Sequence, residues 1–185
     1  GGQELVFDML ENPGEVHAVA ARLAETWLAV AKAQLEAYPT FHGGHGAYFY
    51  NLWTPPGTAF YQDDSVALLS PELFKTFILP YARRIAEAVP CIIHLHPTGF
   101  LPWQEWLALP FTALELHIDS GGPSAKALEA VHRGILAKKP LLIWGELGDG
   151  ELDQLLGLPP RGLMLSILAR DEARFRAVRA RIGIG

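Results

Sequence analysis

The chain has 185 residues, half of them hydrophobic and 19% charged, with a formal net charge of −5. That length defaults to one domain, residues 1–185, with a substantial core, and the composition excludes a disordered chain. The acidic balance gives no electrostatic footing for a nucleic-acid partner, and the single cysteine, Cys91, excludes an internal disulfide or a cysteine-cluster metal site.

In chain order, Asn12-Pro13-Gly14-Glu15 reads as a helix start, with an N-cap, proline at the first helical position and Glu at N3 as in a capping box. The helix runs to about Ala37 on a stripe that includes Val16, Val19, Leu23, Trp27, Val30 and Leu35. A loop, FHGGHG, follows, suited to a lid or to a plain solvent loop. Tyr48–Trp53 suits a strand and Thr58–Gln62 a second, forming either a hairpin or an excursion followed by one core strand. Ser70-Pro71-Glu72 opens a helix to about Ala88. From there strand and helix alternate: strand Cys91–His96, helix Trp103–Leu109, strand Ala113–Asp119, helix Ser124–Ala137, strand Leu141–Glu146, a turn Glu151–Leu156, strand Leu163–Leu168 and helix Asp171–Ile182. Gly121-Gly122-Pro123-Ser124 reads as a turn with a serine N-cap. The late arginines Arg170, Arg174, Arg176, Arg179 and Arg181 read as the solvated face of the last helix.

Strict alternation implies a parallel sheet with right-handed crossovers. The strands count as about five to six, whereas an eight-stranded barrel needs about 250 residues. The expected fold is therefore α/β, either an open sheet or the second half of a TIM-like (β/α)8 barrel. A half-barrel leaves a parallel edge to be covered by an N-terminal half, another chain or a homodimer. No apolar run reaches the about 18 residues that span a bilayer and no signal peptide precedes the first helix, so a cytoplasmic setting without membrane attachment is expected.

The chemistry-bearing residues gather at the carboxyl ends of strands, where α/β folds keep their sites. His94 and His96, two apart on a strand, point the same way and suit a metal, proton transfer or an anionic substrate. Core and loop-end duty is the structural alternative. Glu146 is the candidate third ligand, with His117 behind it. Glu115, His117 and Asp119 share one strand face and need partners, as in a polar barrel lumen or an ion-pair network. Of Asp63 and Asp64 only one points into a site, and Asp64 is the choice. Asp64 and His117 are thus the candidate catalytic residues, and His94, His96 and Glu146 the candidate metal ligands. Trp53, Tyr61, Trp103, Trp106 and Trp144 suit either a pocket wall or the core.

Taken together, QDD followed by LSPELFKTFILPYARRI, then VPCIIHLHPTG, LELHID and LLIWGEL, resemble the uroporphyrinogen decarboxylase superfamily. That superfamily includes decarboxylases and corrinoid- or cofactor-dependent methyltransferases. The resemblance covers about residues 5 to 182 and corresponds to the C-terminal part of the family's barrel. It implies methyl transfer from a small donor to a corrinoid protein or a thiol, assisted by zinc. Methyltransferases of this type bind zinc through His-x-Cys on the strand matching Cys91–His96 and a cysteine near the last strand. Here His94 fits the first ligand, His96 replaces the cysteine, and LMLSILAR has none, which implies an oxygen ligand instead. The arginine and aspartate motifs of porphyrinogen decarboxylation belong to the family's N-terminal half and are not in this chain. A decarboxylase, a non-catalytic binding barrel and a metal-dependent hydrolase are the rival readings.

Overall fold

Apolar strands and amphipathic helices alternate from Ala59 to Ile182 in the computed structural model, which describes residues 2–47 and 51–183. The elements are α1 (Gly2–Glu11), α2 (Pro13–Ala37), β1 (His45–Ala47), β2 (Leu52–Thr54), β3 (Ala59–Gln62), a 3₁₀ turn (Asp64–Leu68), α3 (Pro71–Leu73), a π turn (Phe74–Ile78) and α4 (Leu79–Ala88). They continue as β4 (Cys91–Leu95), α5 (Trp103–Ala108), β5 (Ala113–Ile118), α6 (Glu129–Leu136), β6 (Leu141–Gly145), α7 (Asp149–Leu156), β7 (Leu163–Ile167) and α8 (Glu172–Ile182). β3 to β7 form one five-stranded parallel sheet in sequential order. No barrel closes among the described residues: β3 and β7 each have a single sheet neighbour. Of the two sheet arrangements open to the sequence, the excursion is the one adopted, because β1 and β2 pair antiparallel outside the main sheet. Within the strand expected over Tyr48–Trp53, residues 48–50 lie outside the described residues.

The pleat sorts side chains between two unlike surfaces. One face, with Tyr61, Cys91, Ile93, Leu95, Leu114, Leu116 and Ile143, joins the main core with Phe74, Ile85, Trp106, Ile135, Leu152 and Val178 from the helical side. The other face carries Ile92 and Leu142, packed with Phe60, Ala113 and Trp144 against Leu52 of the hairpin. Apolar packing by helices on one face only is the arrangement of an opened barrel, and differs from a doubly wound sheet with helices on both sides. The expectation of a partial barrel with about five strands is met.

Several local expectations change. Gly2–Glu11 is helical, although its sequence gave no start signal. Asn12 makes no side-chain cap; it joins α1 to α2, and its amide donates to Asp8 at 3.3 Å. The Ser70 helix begins as expected, with Ser70 Oγ accepting from Leu73 N–H at 3.2 Å. Its π turn lies just before Pro80, whose ring displaces the carbonyl four residues back and removes one helical donor. α6 begins at Glu129, and the preceding segment is a turn in which Ser124 Oγ accepts from Ala127 N–H at 3.2 Å. The FHGGHG segment is a fixed turn: Phe41 bridges Gly44, Trp53 donates to the Phe41 carbonyl at 3.0 Å, and His45 accepts from Gly57 N–H at 3.1 Å. No described helix is long and apolar enough to cross a membrane.

Candidate metal centre

The parallel register sets His94 of β4 beside Glu115 of β5. Both are buried, at 3% and 0% side-chain exposure, and His94 Nδ1–H donates to the Glu115 carboxylate. One pleat further, past the end of β4, His96 Nδ1–H donates to Asp119 at 2.8 and 3.0 Å. An ionised carboxylate only accepts, so each imidazole carries its proton on Nδ1 and turns a bare Nε2 inward. The two Nε2 atoms are 2.9 Å apart. Asp64 Oδ1, from the 3₁₀ turn after β3, lies 3.9 Å from each.

Two imidazole lone pairs at that separation repel unless a proton or a cation lies between them. The donors fit a cation. A triangle with sides of 2.9, 3.9 and 3.9 Å has its centre about 2.1 Å from every corner, which matches the ligand distance of zinc. His94, His96 and Asp64 thus converge as one donor group, two imidazole nitrogens and one carboxylate oxygen. His96 is 25% and Asp64 54% exposed, so the group borders solvent on one side.

Asp64 is placed by a close backbone contact. Phe100 N–H donates to the Ala67 carbonyl at 3.0 Å, tying the loop after His96 to the turn that starts at Asp64. A Cβ at Gly99 would stand 2.2 Å from that carbonyl, so only glycine admits the approach. Gly99→Ala is expected to push the turn away and weaken zinc binding by about 10–100-fold, as changes to supporting groups do, with little change in the helical circular dichroism signal. Unchanged affinity by competitive titration would show that the turn does not set the Asp64 position.

The electrostatics are those of a cation-seeking pocket. Burial alone would push His94 down, but the hydrogen bond and charge of Glu115, with Asp64 and Asp119 beyond, hold it above the ordinary imidazole value. Burial pushes Glu115 up while His94 draws it back. Burial lowers His117, Asp119 opposes this, and the neighbouring His96 and His94 add to the lowering. His117 tilts against Trp144 with ring centroids 4.4 Å apart, and its Nε2 lies 3.8 Å from Asp119 Oδ1.

Of the residues singled out in the sequence, His94, His96, Asp64 and His117 come together and Glu146 does not. Glu146 follows Gly145, whose φ of 148° and close approach to Ile118 turn the chain sharply at the end of β6. Its exposed carboxylate accepts from Arg170 at 2.6 Å, and it belongs to neither donor group. The donor groups found among the described residues thus do not include the expected third ligand. Asp63 accepts from Tyr61 at 2.9 Å, and Asp64, which opens the 3₁₀ turn instead of continuing β3, faces the histidine pair. Trp106 and Tyr61 belong to the core, Trp103 packs against it and Trp53 is exposed; of the five aromatics only Trp144 lines the site. Of the late arginines, Arg176 pairs with Glu172 at 2.9 Å and Arg181 with Asp153 at 2.5 Å, whereas Arg174, 22% exposed, reaches in to the Leu147 carbonyl. What sequence reading missed is the positioning duty of Glu115 and Asp119. The alternation in LELHID was its signal, but only the register assigns their partners. No protein-family model and no curated protein sequence matches the chain.

Proposed function

We propose that this chain carries a divalent metal centre, zinc by its donor chemistry, and works as a metal-assisted transferase. The proposed reaction is methyl transfer from a small methylated donor to a thiol or a corrinoid carried on a partner protein. The observation that supports it is the convergence of two Nδ1-anchored imidazoles and one carboxylate on a point at zinc distance. When bound, such an ion is a Lewis acid that makes a thiol or other heteroatom more nucleophilic. The chain's own residues hold and orient: Glu115 and Asp119 fix the ring angles and tautomers of His94 and His96, and Trp144 and His117 form the adjacent wall. Asp64, Glu115 and Asp119 make the pocket carboxylate-rich, which suits a cation and opposes the polycarboxylate substrate of the decarboxylase reading.

Elemental analysis after zinc loading and gel filtration tests the centre. At least one tightly held equivalent is expected, reduced to none in His94→Ala/His96→Ala. Zinc-free protein of full stability would end this reading. For the reaction itself, methylation of free cob(I)alamin to methylcobalamin by a small methylated donor, followed by absorbance, is expected to need zinc and to be lost in His94→Ala.

A further inference from the structure

We propose that the cluster takes two divalent cations, bridged by His96 as an imidazolate. The first ion lies among His94 Nε2, His96 Nε2 and Asp64; the second lies among His96 Nδ1, Asp119 and His117 Nε2. This rests on the metal-centre reading above and adds a second ion to it. His96 is shared by two overlapping donor groups, Asp64–His94–His96 and His96–His117–Asp119. Its two nitrogens serve opposite sides, Nε2 facing His94 at 2.9 Å and Nδ1 facing Asp119 at 2.8 Å.

The second group repeats the spacing of the first. His117 Nε2 lies 3.8 Å from Asp119 Oδ1, too far for a hydrogen bond and close to the 3.9 Å by which Asp64 stands off the first pair. Separations of this size suit two ligands of one ion. No hydrogen bond claims either ring nitrogen of His117 among the described residues, and its Nδ1 is buried without a partner. Trp144 lies against the ring and limits its rotation. Asp119 and His117 are 18% and 17% exposed, so an ion can reach them from solvent.

Charge balance favours the pair of ions. One dication leaves the cluster one negative charge in excess, because Asp64, Glu115 and Asp119 bring three. A second dication that displaces the His96 Nδ1 proton to solvent sets four positive charges against three carboxylates and one imidazolate. The proton is the only leaving group, and Asp119 changes from hydrogen-bond acceptor to ligand. Imidazole donors of this kind suit zinc and copper alike.

Titration of the full chain with zinc, and separately with Cu(II), tests the proposal. The wild type is expected to bind two equivalents of zinc. The second should release one further proton, read as a difference in calorimetric heat between buffers of unlike ionisation enthalpy. With Cu(II), the electron paramagnetic resonance signal should grow to one equivalent and fall on adding the second, since an imidazolate bridge couples the two spins. His117→Ala is expected to hold one equivalent and keep its copper signal. His117→Phe, which retains a ring against Trp144, gives the same readout if the alanine variant fails to fold. One equivalent in the wild type, unchanged by either variant, overturns the second site and leaves the first standing. Two equivalents persisting in the variants also overturn it, and no binding in the wild type overturns both readings.

Discussion

Replacing Glu115 by alanine is expected to cost about 1–3 kcal/mol of folding stability, the usual loss when a buried hydrogen-bond donor is left unsatisfied. The position has no exposure to water, so nothing rehydrates the stranded His94 ring. The same change frees the ring to rotate and to move its proton to Nε2, and zinc affinity is expected to fall about 10–100-fold. Glu115→Gln separates the two effects. Its amide oxygen still accepts from Nδ1–H and its volume is nearly unchanged, so stability recovers in part while the loss of charge continues to weaken the ion. Urea unfolding and competitive zinc titration read the two quantities. An alanine variant as stable as the wild type, with undiminished affinity, would show that Glu115 neither anchors His94 nor shapes the centre.

A second large effect concerns acid. His132 on α6 is fully buried, with no partner on either ring nitrogen, and burial pushes it down to about 4. Between about pH 6.5 and pH 4 the unfolded chain takes up a proton there that the folded chain refuses, so stability falls as pH falls, by up to about 3 kcal/mol. Asp63 works in the opposite sense. Burial pushes it up to about 6, against the hydrogen bond from Tyr61 and with help from the charge of Asp64. The folded chain keeps that proton between about pH 4 and pH 6 while the unfolded chain has lost it, so stability falls as pH rises, by up to about 3 kcal/mol before water screens part of it. In the wild type the two slopes oppose each other over this window. His132→Leu, which also removes two unpaired nitrogens, is expected to gain stability relative to the wild type as pH drops from 6.5 to 4. Asp63→Asn should lose ground relative to the wild type over the same drop. Urea unfolding at pH 4, 5 and 6.5 reads both differences, and variant-minus-wild-type values independent of pH would refute the linkage.

The sheet was legible in the sequence because β4 and β6 are largely apolar runs and β5 alternates apolar with polar residues, and because helices separate them. The shared direction of His94 and His96 followed from the two-residue period of a strand, whereas Asp64 is set by the 3₁₀ turn that begins with it. What was not legible depends on register and on loop contacts. Only the pairing of β4 with β5 shows that Glu115 anchors His94, and the seating of Gly99 against Ala67, which sets Asp64, leaves no periodic trace in the chain. The pairing of Glu146 with Arg170 was not legible either, because strand-end position alone ignores the turn imposed by Gly145. α1 escaped because it lacks start signals and buries only Met9.

The hairpin packed through Leu52 onto Ile92 and Leu142 floors the sheet below the histidines. Asp64, 54% exposed beside His96 at 25% and His94 at 3%, is the donor that an arriving ion meets first. A substitution at Asp64 is therefore expected to change the rates of loading and chelation together with the affinity.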